Sequence, residues 1–67
     1  MRLADRFSRN LRAARLQRQL SQRELASRAA LSISYVSMLE RGQRSPPLDT
    51  VEGLGKALGV APAQILR

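Results

Sequence analysis

The stretch from Ser21 to Gly42, S-Q-R-E-L-A-S-R-A-A-L-S-I-S-Y-V-S-M-L-E-R-G, constrains the fold more than any other part of the chain. It holds two helix-starting signals so close together that only two short helices and a small turn fit between its ends. Ser21 can cap a helix that begins at Gln22, and Glu24, three residues on, can reach back as in an S-x-x-E capping box. That helix should run to about Ala29. Ser32 is placed to cap a second helix from Ile33 to about Arg41, and Gly42 suits the left-handed residue that stops it.

The apolar positions set how the two helices meet. Leu25, Ala26 and Ala29 repeat at helical spacing in the first, Val36 and Leu39 in the second, and Leu31 fills the corner. Ala26 is the small side chain that lets the pair cross closely at a steep angle. Three patches in order, L-S-Q-R-E-L-A at 20–26, S-Y-V-S-M-L-E-R-G at 34–42 and K-A-L-G-V at 56–60, resemble the phage-repressor and Cro-like (XRE-type) helix-turn-helix family. The resemblance covers nearly the whole chain. It implies an all-α, five-helix, lambda-repressor-like domain over residues 1–67, with the helix-turn-helix at about 22–41.

Composition narrows the chemistry. Sixty-seven residues allow one small core, near the lower limit for folding without staples. With no Cys and no His there is no disulfide framework, no conventional zinc site and no poised nucleophile–base pair, so no catalytic residue, metal site or cofactor is expected. No apolar run is long enough for a membrane span, and Met1 opens no signal-peptide pattern, which points to a cytoplasmic protein. Twelve Lys and Arg against five acidic residues give a formal net charge of +7, and all but Lys56 of those bases are Arg. A polyanion is the fitting partner. Nucleic acid fits better than a membrane, because no helix pairs a basic face with a broad aliphatic and aromatic one.

The remaining segments read as helices packed around the central pair. Residues 3 to about 18 carry Leu3, Phe7, Leu11 and Ala14 as one stripe, with Arg2, Arg6, Arg9 and Arg12 mostly opposite and Leu16 exposed. Arg15 sits on the shoulder of the apolar stripe and needs a partner. After a loop over 43–47 stiffened by Pro46 and Pro47, residues 48–58 place Leu48, Val51, Leu54 and Leu58 on one face, with Asp49 and Glu52 near the positive end. Gly53 and Gly55 either permit close packing or leave this helix soft, each costing roughly 1 kcal/mol relative to Ala. Gly59 ends it, and Pro62 starts a short fifth helix with Ala63, Ile65 and Leu66. The family commonly has Gly where this chain has Gln19 and Ala30. Either residue must then take the left-handed turn at a cost on the order of 1 kcal/mol, or the turn must change.

Roles carried by the resemblance are specific. Arg15 and Glu40 form a structural ion pair, with a phosphate contact by the outer edge of Arg15 compatible with it. Ser32, Ile33, Ser34, Ser37 and Met38 face bases in the major groove of double-stranded DNA, while Gln22, Arg23, Arg41, Gln43 and Arg44 hold phosphates. Tyr35 either offers its hydroxyl to a phosphate or packs half-buried. Positions 32–40 contain no Arg, Lys, Gln or Asn, so the bidentate pairings to guanine or adenine are missing and direct readout should be modest, favouring thymine methyls. A homodimer on two half-sites is expected, with Val60, Ile65 and Leu66 at its interface or, alternatively, in the core. The chain then reads as a transcription regulator, a repressor on an inverted-repeat operator. Two alternatives stand beside it: a protein-interaction module of antitoxin or coactivator type, and the DNA-binding part of a longer regulator with an effector-sensing domain.

Overall fold

The computed structural model describes residues 3–67, with side chains from Asp5 onward. Met1 and Arg2 lie outside the described residues, as does the side chain of Leu3 at the head of the first stripe. Five helices follow in order: α1 (Leu3–Gln17), α2 (Gln22–Arg28), α3 (Ile33–Glu40), α4 (Leu48–Leu58) and α5 (Pro62–Leu66). Each lies within one residue of its expected boundary.

The core is built from the stripes. Phe7 and Leu11 of α1, Leu25 and Ala26 of α2, Val36 and Leu39 of α3, Val51, Leu54 and Leu58 of α4, and Ile65 of α5 close on one another, with Leu20 sealing the corner between α1 and α2. α1 packs on α3 and α5, α2 on α3 and α4, and α4 on α5. Leu48 departs from its expected place, and Ile65 takes the core alternative. Leu48 is 67% exposed. As the first residue of α4 its side chain leans back past the helix start, away from the core that Val51, Leu54 and Leu58 reach. Ile65 is 1% exposed and wholly consumed by the core. It has no surface to give a second copy, whereas Val60 and Leu66 stay half-buried against the same core.

α1 to α4 all stop in the same way. The chain turns left-handed for one residue, at Gln19 (φ 56°), Ala30 (φ 57°), Gly42 (φ 73°) and Gly59 (φ 72°). The next N–H then bonds back into the helix: Leu20 to Arg15 O at 3.2 Å, Leu31 to Ala26 O at 2.8 Å, Gln43 to Met38 O at 3.0 Å and Val60 to Gly55 O at 2.9 Å. The left-handed turn is kept at the two positions that lack glycine, so Gln19 and Ala30 carry the strain. Of the two glycines inside α4, only Gly55 is packed. A Cβ there would stand 2.8 Å from the Val60 carbonyl oxygen, while one on Gly53 would meet nothing within 4 Å.

Two polar side chains tie helix ends to α1. Arg18 donates Nε to Leu58 O at the end of α4 and Nη1 to Ala14 O at 3.1 Å. Asn10 Nδ2 reaches Ile65 O at 2.9 Å and Arg67 O at 3.2 Å beyond α5. Each satisfies carbonyls that a helix end leaves open.

Candidate nucleic-acid interface

α2 begins as its sequence requires. Ser21 Oγ accepts the Glu24 N–H at 3.0 Å, and Glu24 Oε1 accepts the Ser21 N–H at 2.8 Å. That backbone bond first, the Ser21 hydroxyl next and Arg28 less strongly hold the Glu24 carboxyl below its usual value. Ser32 caps α3 by accepting the Tyr35 N–H at 3.0 Å. Its hydroxyl hydrogen stays available for a further acceptor.

With Val36 and Leu39 fully buried, the outer face of α3 is fixed. Ser34, Ser37, Met38 and Arg41 recur at three- and four-residue steps along it. Ser32, Ile33, Ser34 and Arg41 are exposed, Ser37 and Met38 half-buried. Ile33, 41% exposed at the head of the helix, is one of three large apolar side chains so open among the described residues, with Leu16 and Leu48. Tyr35 is half-buried against the core cluster, which is the packing alternative for its ring. Arg23, Gln43 and Arg44 are exposed on α2 and on the loop after α3. Gly42 sits against the first turns of α1, where a Cβ would come 3.3 Å from Asp5 Oδ1 and 3.6 Å from Ser8 Oγ, so the loop start is pinned to the body of the domain.

Arg15 and Glu40 meet in a two-pronged pair. Nε lies 2.7 Å from Oε2 and Nη2 3.0 Å from Oε1, with the side chains 9% and 4% exposed. Arg15 Nη1 also donates to Leu20 O at 2.7 Å. Gln22, expected at a phosphate, is half-buried and donates Nε2 to Glu40 Oε1 at 3.1 Å, a bond that uses one of its two amide hydrogens. A carboxylate has about four acceptor sites, so Glu40 can serve both partners at once. Sequence reasoning missed this bond, along with the roles of Arg18 and Asn10. Arg18 could have been found, since it stands seven residues after Leu11 on the inward stripe, by the offset logic that singled out Arg15.

Known proteins are similar to this chain in sequence and in fold. A helix-turn-helix family model (HTH_3) matches residues 11–65. The chain is 41% identical over 61 residues to the control protein C.BamHI of Bacillus amyloliquefaciens, covering 90% of this chain and 75% of that protein. It is 39% identical over 56 residues to the immunity repressor protein of Bacillus phage phi105, covering 84% of this chain but only 39% of the repressor. Among solved structures, the restriction-modification controller protein C.AhdI from Aeromonas hydrophila superposes with a TM-score of 0.90 at 37% identity, over 92% of this chain and 94% of that one. The hypothetical transcription factor NHTF from Neisseria gives 0.95 at 36% identity, over 98% and 76%. Capped helices, crossing pair and buried Arg–Glu clamp thus sit in a chain most of which is matched by one family, and the protein belongs to the XRE-type helix-turn-helix family, HTH_3.

Proposed function

We propose that the chain binds double-stranded DNA with sequence selectivity and regulates transcription, as a repressor-type protein occupying an inverted-repeat operator. The observation that carries this reading is the outer face of α3. Its inward side is spent on the core, and what remains is a row of short or apolar side chains flanked by exposed Arg23, Arg41 and Arg44. Short side chains let a helix sit deep in the major groove, and the arginines can hold phosphates on both sides. Ser32, Ile33, Ser34, Ser37 and Met38 contact bases; Arg23, Arg41, Gln43 and Arg44 contact the backbone. The named relatives, a control protein and an immunity repressor, support regulation as the role. Cytoplasmic action and a regulatory, non-enzymatic role accord with the regulatory names of those relatives. Among the described residues no helix is long and apolar enough to cross a membrane.

One domain of this size covers too little DNA for tight selective binding, so the working species is a homodimer on half-sites roughly one helical turn apart. Val60 and Leu66 lie at its interface with exposed Leu48, and Val60 lines an open groove of about 830 Å³ together with Asp49, Glu52, Gly53 and Lys56. A second reading, that α3 docks on a protein, is favoured by the absence of Arg, Lys, Gln and Asn from positions 32–40. Selection of bound duplexes from a random pool at two salt concentrations separates the two. Enrichment of an inverted repeat supports operator binding, while salt-sensitive binding without enrichment favours a partner protein or a further sensing domain as the source of specificity.

A further inference from the structure

α2 and α3 are joined by the turn between them. Gln22 starts α2 and Glu40 ends α3, so both lie at the end of the pair furthest along the helices from that turn. Among the described residues, Gln22 Nε2 to Glu40 Oε1, 3.1 Å, is the side-chain hydrogen bond that runs from α2 to α3. The rest of their contact is apolar, through Leu25, Ala26, Val36 and Leu39, which resists separation but has no direction. A directional bond has most leverage where the helices are furthest from their hinge. α2 spans seven residues, roughly 10 Å at about 1.5 Å per residue, so a small change of crossing angle moves this end most. The acceptor is itself immobile, because Arg15 holds both of its oxygens and is anchored in turn on Leu20 O.

We propose that Gln22 is a positioning residue for DNA reading. Its amide ties the far end of the helix pair to the fixed Glu40 carboxylate and so sets the angle at which α3 presents its outer face, acting through Glu40 and not by touching phosphate. The inference rests on the reading of α3 as the base-contacting helix. A phosphate contact made by Gln22 would strengthen binding to every duplex alike, whereas a clasp strengthens only binding that depends on α3's orientation.

The test starts from the duplex selected by the intact protein and a scrambled one of equal length. Affinities are measured for the natural protein, Gln22→Met, Glu40→Met and the double variant. Gln22→Met keeps the bulk of the side chain and removes its amide, and Glu40→Met likewise removes the acceptor. Gln22→Met should weaken the selected duplex about tenfold and the scrambled one less than about twofold, and its effect should fall below about twofold when Glu40→Met is already present. Equal losses on both duplexes, or the same loss in the Glu40→Met background, would overturn the clasp in favour of a direct contact. Should Glu40→Met fail to fold, the side-chain amide resonances of Gln22 give the answer on the natural protein. They should be displaced in the free protein and stay in place when DNA is added, and a large move on binding contradicts the proposal. If the natural protein selects no duplex, the reading of α3 fails, and with it the role of the clasp.

Discussion

Ala30 and Gln19 are where single residues carry the most readable strain. Each takes a left-handed φ near 57° at a helix end, in the same hydrogen-bonded turn that Gly42 and Gly59 make without a Cβ. Both side chains are exposed, so neither is held there by packing. A Cβ in this region costs about 1–2 kcal/mol, offset in part by the extra freedom a glycine loses on folding. Ala30→Gly should therefore stabilise the domain by about 0.5–1 kcal/mol, read as a rise of several degrees in melting temperature. An unchanged or lower midpoint would mean that the turn is not under strain. Gly53 and Gly55 make the opposite pair. Gly53→Ala adds a methyl to open space in mid-helix and should gain about 0.5–1 kcal/mol, whereas Gly55→Ala drives a Cβ toward a backbone oxygen 2.8 Å away and should lose about 1–3 kcal/mol in denaturant unfolding. Equal effects at the two sites would contradict the close approach of the α4–α5 corner.

At the scale of elements, α2 shows how a helix of seven residues survives: both its ends are tied. Ser21 and Glu24 exchange bonds at the start, the left-handed turn returns two bonds at the end, and Leu25 and Ala26 bury its inner face. Because the Glu24 carboxyl is held below its usual value, its cap stabilises above the unfolded-state pKa and is lost as pH falls through the lower folded one. Glu24→Gln keeps an acceptor without that titration. The melting temperature of the natural protein should thus fall more steeply below about pH 4 than that of Glu24→Gln, and parallel acid limbs would show that the cap carries no charge dependence. Such caps are local and legible: Ser21, Glu24, Ser32 and Gly42 announce two helices and their turn within a few residues of chain. The Arg15–Glu40 pair was legible only because a charged residue stood on an apolar shoulder and the family supplied its partner. What stayed hidden depends on where helix ends arrive in space. The Gln22–Glu40 bond, the hold of Arg18 on Leu58 O, that of Asn10 on Ile65 O, and the outward lean of Leu48 all require the tertiary arrangement first. Ile65 was ambiguous for the same reason, since an apolar residue in a terminal helix fits a core and an interface equally well until the packing decides.

For the whole molecule, charge and shape divide the labour of binding. A formal net charge of +7 on 67 residues draws the protein to any duplex, and each phosphate neutralised releases counterions whether or not the sequence is right. On the proposed reading, selectivity comes from the few uncharged side chains on the outer face of α3 and from the angle at which the core and the Arg15–Glu40–Gln22 network hold them. Ile33 and Arg44 represent the two tasks. Both are exposed, so alanine at either should leave stability within about 0.5 kcal/mol. Ile33→Ala removes the proposed apolar contact with a thymine methyl and should weaken thymine-bearing selected sites by roughly 1 kcal/mol, with scrambled duplexes and the salt dependence unchanged. Arg44→Ala removes a cation and should weaken all duplexes by a similar factor, lowering the slope of log affinity against log salt by about 1 per bound protomer. Titrations of both variants on both duplexes across a salt series decide the matter. If Ile33→Ala weakens both duplexes equally, α3 is not reading thymine through that side chain; if Arg44→Ala leaves the slope intact, the loop after α3 stands clear of the phosphates and the basic grip lies elsewhere on the molecule.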